Sequence, residues 1–301
     1  MLKLAFTVWA ALQADAELRR PTVRNEMPRL SNRVALVTGA TAVEPGGLNI
    51  GGAAATEVVA EGARVVLADI NIEGASALAE QLNQKYGPDV AIAVQTDLRD
   101  EDAIQRLVAT TVSTFGKIDV LFNIAGVFPA GDGDVATMPI EVWDDVMAVN
   151  VRSAMLTTKH ALPHLRVEGG SIVNTASTHA FAGDTSLTGY GATKAALLAL
   201  TKYTATQYGR ERVRCNAICP GTTTTPPAQQ LPEAVKDIYR RHTPAPDLNG
   251  PADLAKVYAF LASDDSRGIN GETIRVDGGL LAHQPFVPDM DSLGAATATS
   301  Q

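Results

Sequence analysis

A tyrosine, a lysine and a serine of this chain are spaced so that they could move a proton together. Tyr190 and Lys194 are four residues apart, about one helical turn, so in a helix the phenol and the ammonium share one face. A nearby cation favours the phenolate and lowers the pKa of the phenol. Ser177 can hold a carbonyl oxygen that gains charge as hydride arrives. These groups predict interconversion of an alcohol and a ketone, although the Tyr–Lys spacing alone is also typical of solvated helix faces.

Composition indicates a globular protein. The 301 residues are 46% hydrophobic and 19% charged, enough for one large domain or two small ones. The formal net charge is −8 and no basic cluster is present, which argues against nucleic acid and anionic membrane partners. No apolar run is long enough to span a bilayer.

Neither the cysteines nor the histidines predict a metal site or a disulfide. Cys215 and Cys219 fall in a run typical of a strand, and four extended residues separate them by roughly 13 Å, too far for a disulfide. His160 and His164 are spaced one turn apart, but no acidic or thiol ligand is evident beside them. We expect reduced cysteines, helix-surface histidines and no metal.

The first thirty residues, 1–30, are expected to form a disordered or peripheral helical extension. Residues 1–16 hold Lys3, a short apolar stretch and Ala14-Asp15-Ala16, a pattern that weakly resembles a secretory signal. Met27, just before the first predicted strand, is an alternative natural start. Since nothing indicates a disulfide framework, we expect a cytoplasmic protein.

From residue 33 onward, short β-branched runs alternate with helical patterns. The predicted strands are 34–38, 64–68, 90–95, 118–123, 171–175, 213–218 and 273–276. The predicted helices are 50–61, 73–86, 100–115, 139–165 with an interruption near Pro163, 190–208, 231–241 and 252–262. Repeated β–α units indicate a parallel sheet with helices on both faces and ligands at the carboxyl ends of the strands. Residues 285–301 have little pattern and are predicted to form a tail that could cover a neighbouring subunit.

A dinucleotide site is predicted at the end of the first strand. Gly39 follows that strand, and further glycines precede the first helix, an arrangement in which helix N-terminal amides bind phosphate. Asp69 ends the second strand, where a carboxylate accepts hydrogen bonds from ribose hydroxyls and repels a 2′-phosphate. We therefore predict NAD in preference to NADP. The alternative for Asp69, a helix cap, is equally open to Asn71 or Glu73.

Other strand ends extend this site. Asp97 and Leu98 follow the third strand, where they could meet the adenine. Asn123, Ala125 and Gly126 follow the fourth strand, and Gly126 lets the backbone approach a cofactor closely.

The chain resembles the short-chain dehydrogenase/reductase family. The resemblance covers roughly residues 31–279. Its markers are Thr38-Gly39, Asp97-Leu98, Asn123-x-Ala125-Gly126, Asn150, Ser177, Tyr190-x3-Lys194, Pro220-Gly221 with Thr225, and Val276-Asp277-Gly278-Gly279. It implies a single-domain, Rossmann-type doubly wound parallel sheet in three α/β/α layers over 31–280, a tail over 281–301, a nicotinamide cofactor, and a homotetramer or homodimer.

The resemblance also implies residue roles. Tyr190 would be the general acid in reduction and the base in oxidation. Lys194 would lower its pKa and hold the nicotinamide ribose, Ser177 would bind the substrate oxygen, and Asn150 would hold a water that links Lys194 to solvent. The cofactor carboxamide would be fixed by the segment holding Pro220, Gly221, Thr223 and Thr225.

Two departures from the family pattern stand out. About six residues are inserted between 41 and 48, and Asn49, followed by Ile50, stands where the middle glycine of the phosphate turn belongs. Asn tolerates positive φ, so the turn can survive. The stretched loop is similar to those of divergent enoyl reductases, whose Tyr-to-Lys spacing is nevertheless longer. The second departure, Ile124 in place of an Asn, is expected to be mild.

The sequence leaves the substrate open among a sugar, a steroid-like or cyclic ketone, a diol and a β-ketoacyl group. His179, two residues after Ser177, is a candidate substrate contact beside Ser177 and Tyr190; the other pocket candidates are Phe128, Trp143, Phe181 and Tyr239. Two rival functions remain: a catalytically idle NAD(H)-sensing or scaffold protein on the same fold, and a sugar epimerase, for which too few C-terminal residues remain.

Overall fold

The computed structural model describes residues 28–43 and 47–298. The signal-like segment 1–16 and the alternative start at Met27 lie outside these residues. The last residue of the predicted extension, Leu30, is only 1% exposed and joins the core. Its N–H donates to the carbonyl oxygen of Glu61 at 3.0 Å, so the packed part of the chain begins slightly before residue 31.

Seven parallel strands form the central sheet and confirm the predicted α/β class. The strands of the described residues are β1 (Val34–Thr38), β2 (Ala42–Val43), β3 (Gly47–Leu48), β4 (Arg64–Asp69), β5 (Ala91–Gln95), β6 (Val120–Asn123), β7 (Gly170–Thr175), β8 (Val213–Pro220) and β9 (Thr273–Val276). All except β2 and β3 join one sheet in the order β5-β4-β1-β6-β7-β8-β9. The chain builds outward from β1 to β5 and then crosses to β6, so the order reverses between β1 and β6.

Helices cover both faces of this sheet. The helices of the described residues are α1 (Ile50–Ala60), α2 (Ile72–Tyr86), α3 (Glu101–Phe115), α4 (Ile140–Met147), α5 (Ser153–Glu168), α6 (Thr188–Tyr208), α7 (Pro226–Gln229), α8 (Glu233–Arg241), α9 (Pro251–Ala262) and α10 (Val287–Ala298). Alternate residues of β1 face the two layers: Ala35 and Val37 pack with one core cluster, Val34 and Leu36 with the other. Because both faces of the strand are buried, its first four residues are all apolar.

The long helical region predicted for 139–165 is interrupted, but not at the predicted place. A π-helical segment, Ala148–Arg152, separates α4 from α5. Pro163 lies inside α5, which continues past it. The prediction of a break near Pro163 was therefore wrong, and the wider π turn belongs to the segment that carries Asn150.

The inserted loop forms a small antiparallel hairpin from β2 and β3. Its base packs on the start of α2, where a Cβ at Gly74 would come within 2.1 Å of Thr41 Oγ1. Its second strand packs on α7, where a Cβ at Gly47 would come within 2.6 Å of Pro226 Cγ. The insertion thus bridges two elements at the carboxyl edge of the sheet.

Two other expectations need correction. Residues 285–301 were predicted to lack pattern, yet α10 occupies Val287–Ala298. His160 has an acidic partner after all: its Nε2 lies 2.8 Å from Glu101 Oε1, which α3 brings alongside α5. Within residues 28–43 and 47–298, no three His, Cys, Asp or Glu side chains gather closely enough to hold a metal ion. Both cysteines are buried and free.

Candidate active site

The predicted site residues converge at the carboxyl edge of the sheet. Gly39 follows β1, Asp69 ends β4 and Asn123 ends β6, and the order of the sheet reverses between β1 and β6. Ligands of doubly wound sheets bind at such a reversal. Ser177 follows β7, and Gly221 follows β8 in the same half of the sheet.

Asn49 joins the end of β1 to the start of α1. Its Oδ1 accepts from the N–H of Gly52 at 2.7 Å and of Thr41 at 3.3 Å, and its Nδ2 donates to the Gly39 carbonyl oxygen at 2.9 Å. Its φ is −72°, so the left-handed conformation that we considered for Asn49 is not used. Gly39 has the positive φ, +70°. Asn49 therefore preserves the turn as a helix cap.

Two glycines let the backbone segments around this turn pack closely. A Cβ at Gly51 would lie 2.2 Å from the Gly39 carbonyl oxygen, and a Cβ at Gly39 would lie 2.7 Å from Ala125 Cα. These glycines bring the backbones of β1, α1 and the β6 loop together without side chains between them. The first turn of α1, which begins at Ile50, holds no acidic residue to repel an anion. This cradle fits a pyrophosphate at the N-terminus of α1.

Asp69 does not cap α2, which was the alternative role considered for it. Asn71 caps α2 by accepting from the N–H of Gly74 at 3.1 Å. The Asp69 carboxylate accepts from the N–H of Asn71 at 2.9 Å, and burial raises its pKa. A half-buried carboxylate at the end of β4 is suitably placed to accept ribose hydroxyls.

Three predicted cofactor side chains are engaged elsewhere. The Asp97 carboxylate is paired with Arg99 at 2.9 Å, which holds the pKa of Asp97 below its usual range. Leu98 is buried in a small apolar cluster with Ile104. The amide of Asn123 donates to Asn174 Oδ1 at 2.9 Å inside the molecule. The Asn123 side chain therefore stabilises the loop after β6 from inside the protein. The backbone after Asn123, rather than its side chain, is the part that can approach a cofactor.

Asn150 and Lys194 border one small space beside Gly126. A Cβ at Gly126 would lie 3.3 Å from Lys194 Nζ and 3.4 Å from Asn150 Oδ1. Asn150 is fixed by the N–H and carbonyl of Val127, at 2.8 and 2.9 Å, and by Thr193 Oγ1 at 3.2 Å. Asn150 lies within the π-helical segment Ala148–Arg152. Sequence reasoning missed Thr193, although it lies next to Lys194.

Lys194 is buried, with 3% of its surface exposed. Its Nζ donates to the Thr175 carbonyl oxygen at 2.8 Å, and Thr175 Oγ1 lies 2.6 Å from the hydroxyl of the fully buried Tyr258. Burial lowers the pKa of Lys194 to about 8. Neither Thr175 nor Tyr258 was predicted from sequence, because the Lys194–Thr175 and Thr175–Tyr258 hydrogen bonds depend on how α6 and α9 pack against β7.

Tyr190 lies between two rings, with Ser177 beside its hydroxyl group. Its ring makes edge-on contacts with Phe128 and His179, at centroid distances of 5.8 and 5.4 Å. Burial raises the pKa of the Tyr190 phenol, and the hydrogen bond with Ser177 opposes this. We expected Lys194 to lower this pKa, but the shift is upward and burial is its largest cause. The Lys194 ammonium lies 5.2 Å from the centre of the Tyr190 ring.

His179 contacts the predicted catalytic serine. Its Nδ1 lies 3.3 Å from Ser177 Oγ, and its Nε2 lies 3.3 Å from Asp184 Oδ2. The sequence indicated His179 as a substrate contact but did not reveal Asp184 as its partner. Each nitrogen of the His179 ring therefore has a side-chain oxygen as its partner, and the ring also makes an edge-on contact with the Tyr190 ring.

The end of β8 and the segment after it hold Pro220, Gly221, Thr223 and Thr225, which the resemblance implied as cofactor residues. Pro220 ends β8, and a Cβ at Gly221 would lie 2.9 Å from Asp277 Cα, so only glycine allows this approach. Thr223 is buried and its hydroxyl donates to the Gly221 carbonyl oxygen at 3.2 Å. Thr225 caps α7, which the sequence did not predict, through its backbone.

Comparison with known proteins gives a consistent result. A family model described as enoyl-(acyl carrier protein) reductase matches residues 46–281. A 7α-hydroxysteroid dehydrogenase of Bacteroides fragilis is 38% identical over 264 residues, covering 87% of this chain and 99% of that protein. A meso-2,3-butanediol dehydrogenase of Serratia marcescens is 37% identical over 254 residues, covering 84% and 96%. A crystal structure of a putative short-chain dehydrogenase/reductase from Burkholderia xenovorans superposes with a TM-score of 0.78 at 32% identity, covering 85% of this chain and 99% of that one.

The fold and these matches define an oxidoreductase on a Rossmann-type sheet. The chain belongs to the short-chain dehydrogenase/reductase family, as its sequence indicated. Relatives named for hydroxysteroid and butanediol oxidation support interconversion of a secondary alcohol and a ketone with a nicotinamide dinucleotide. In the part of the chain that the structure describes, no helix is both long and apolar enough to cross a bilayer.

Proposed function

We propose that this protein is an NAD(H)-dependent dehydrogenase of secondary alcohols in which Tyr190 is the general acid and base. The observation that supports this most is the placement of the phenol: Tyr190 is beside Ser177, and Lys194 lies one helical turn further on with its Nζ 5.2 Å from the ring centre. The nicotinamide, when bound, supplies or accepts the hydride.

The protein groups divide the remaining chemistry among them. During oxidation, the Tyr190 phenolate accepts the proton of the alcohol, while the Ser177 hydroxyl donates to the same oxygen. During reduction, the Tyr190 phenol donates its proton to the carbonyl oxygen, and Ser177 stabilises the charge that develops there. Lys194 places a positive charge one turn away, where it favours the phenolate.

A proton route follows from the space beside Gly126. Lys194 Nζ and Asn150 Oδ1 both border that space. We propose that a water there connects Lys194 with Asn150, so that protons reach Tyr190 from the interior side of the site. Asn150 is suited to this because its amide is already oriented by Val127 and Thr193.

Asp69 supports NAD in preference to NADP. Its carboxylate stands at the carboxyl end of β4, and a 2′-phosphate there would place two anions together. Burial already raises the pKa of Asp69, so its charged form is sensitive to a second anion.

The aromatic edge of the site favours an apolar or cyclic substrate. Phe128 contacts the Tyr190 ring and is 66% exposed, and Phe181, four residues beyond Ser177, is 49% exposed. A substrate whose reacting carbon meets Tyr190 would lie beside the Phe128 ring. This supports hydroxysteroids and cyclic alcohols as the first substrates to test, with diols as the second group.

The test is absorbance at 340 nm with NAD and then NADP across hydroxysteroids, cyclic alcohols, diols and sugars. Turnover with NAD on one group supports the proposal. If NADH binds, as fluorescence reports, but no substrate turns over, the NAD(H)-sensing alternative gains instead. We also propose a homotetramer or homodimer, and light scattering that finds only monomer would contradict it.

A further inference from the structure

The helix that carries Tyr190 and Lys194 begins without a cap of its own. The residue before α6, Leu187, has a left-handed φ of +60° and makes no side-chain cap hydrogen bond. The N–H groups of the first helical turn have no partners within the helix and must find them elsewhere. Whatever satisfies these groups also sets where Tyr190 stands, since Tyr190 lies in that turn.

The missing cap comes from Asp132, in the loop after β6. Asp132 Oδ1 accepts from the N–H of Gly189 at 2.8 Å, and Oδ2 accepts from the N–H of Tyr190 at 2.7 Å. Its backbone carbonyl also accepts from the N–H of Leu187 at 2.8 Å. Asp132 is 2% exposed, and the dipole at the start of α6 together with these amides stabilises the buried carboxylate.

The same loop also holds the Tyr190 ring. Phe128 contacts that ring edge-on, and the Gly133 carbonyl oxygen accepts from the Thr188 hydroxyl at 2.9 Å. Residues 128–133 therefore contact both the backbone and the side chain of Tyr190. Catalytic groups lose rate steeply when they are misplaced by about 1 Å, so the position of this loop matters for proton transfer.

We infer that Asp132 is a positioning residue for Tyr190: its carboxylate holds the start of α6 so that the phenol meets the substrate oxygen. This rests on the proposed function. Asp132 acts through the two N–H groups that it binds, those of Gly189 and Tyr190.

Asp132→Asn tests the inference, with Asp134→Asn as its matched control. An amide keeps one acceptor oxygen but turns an NH₂ group towards the second N–H, so one cap bond is lost. Asp134 is on the same loop and exposed, and it bonds Ala136 and Thr137 rather than α6. We expect kcat to fall at least about tenfold in Asp132→Asn with the Kd for NADH unchanged, and to stay within about twofold of wild type in Asp134→Asn.

Two further measurements separate positioning from general destabilisation. In a Tyr190→Phe background, Asp132→Asn should cause little additional loss, because a residue that acts through the phenol has nothing left to position. Amide hydrogen exchange at residues 189 and 190 should be faster in Asp132→Asn and unchanged in Asp134→Asn. Should Asp132→Asn fail to fold, Gly189→Ala crowds the same contact, since its Cβ would lie 3.3 Å from Asp132 Oδ1.

Equal losses in the wild-type and Tyr190→Phe backgrounds would overturn the inference, as would unchanged exchange at residues 189 and 190. The exchange result needs no substrate. If wild-type protein turned over no substrate at all, the proposed function would fail, while exchange would still decide whether Asp132 holds Tyr190.

Discussion

The ammonium of Lys194 lies 5.2 Å from the centre of the Tyr190 ring, and it donates its hydrogen bond to the Thr175 carbonyl oxygen at 2.8 Å. A buried cation with a carbonyl partner is costly unless a ligand contributes further partners. Burial accordingly lowers the pKa of Lys194 to about 8. The Lys194 ammonium is therefore destabilised by burial, and a bound ribose hydroxyl or the Tyr190 phenolate would stabilise it.

The first prediction concerns stability and pH. In the unfolded chain Lys194 has its ordinary pKa of 10.5, and in the folded protein about 8, so the unfolded chain binds more protons between these values. The free energy of unfolding should therefore rise with pH in this window. Relative to Lys194→Met, wild type should gain about 1 kcal/mol from about pH 7 to about pH 9, as urea unfolding can measure. If the free energies of unfolding of wild type and Lys194→Met changed with pH in parallel, the pKa of Lys194 would not be lowered by folding.

The second prediction concerns the space beside Gly126. A methyl group in Gly126→Ala would press on Lys194 Nζ and Asn150 Oδ1, at 3.3 and 3.4 Å. Both catalytic candidates would shift, so kcat should fall about tenfold or more. Gly183→Ala is the control, because a Cβ there meets nothing within 4 Å. Equal activity of Gly126→Ala and Gly183→Ala, measured by absorbance at 340 nm, would contradict the proposed proton route.

The third prediction separates the role of Asn49 as the cap of α1 from its role in shaping the phosphate turn at Gly39. Asn49→Ala loses the cap of α1 and the bond to the Gly39 carbonyl oxygen, so stability should fall by about 1–2 kcal/mol and NADH affinity should fall with it. Asn71→Ala, which removes only the cap of α2, should cost a similar amount of stability and leave affinity nearly unchanged. Thermal unfolding and NADH fluorescence distinguish the two effects. Equal NADH affinities of Asn49→Ala and Asn71→Ala would mean that Asn49 does not shape the phosphate turn.

The fourth prediction concerns cofactor choice. Asp69→Ala removes the carboxylate that would face a 2′-phosphate, so the ratio of kcat/KM for NADP to that for NAD should rise about tenfold or more. Asp102→Ala, an exposed acid in the first turn of α3, should leave the ratio unchanged. An unchanged ratio in Asp69→Ala would show that Asp69 does not contact the ribose.

Local patterns predicted most of the fold. The strand at 34–38 was predicted from its short β-branched, apolar run, and the structure buries all five residues. The cap of the following helix was left open between Asn71 and Glu73, and the structure shows Asn71 in that role. The helix Val287–Ala298 was missed because its sequence lacks an apolar stripe. The π-helical segment was missed because one wider turn hardly changes the periodicity of a long helix.

The candidate site was less predictable where contacts join distant parts of the chain. Ser177, Tyr190 and Lys194 could be identified from spacing, and the structure brings them together. Asp132 could not, because an isolated Asp in a loop gives no sign that it caps a helix more than fifty residues later. The cytoplasmic location and the oligomeric state stay predictions.

The central claim is that the Tyr190 phenol transfers the proton, and the most direct test is turnover by Tyr190→Phe beside Tyr203→Phe. Tyr203 is on the same helix and 68% exposed, so the control makes the same chemical change away from the site. We predict that kcat falls by a factor of about 100 or more in Tyr190→Phe, with the NADH Kd unchanged, and stays near wild type in Tyr203→Phe. Undiminished turnover by Tyr190→Phe would contradict the account.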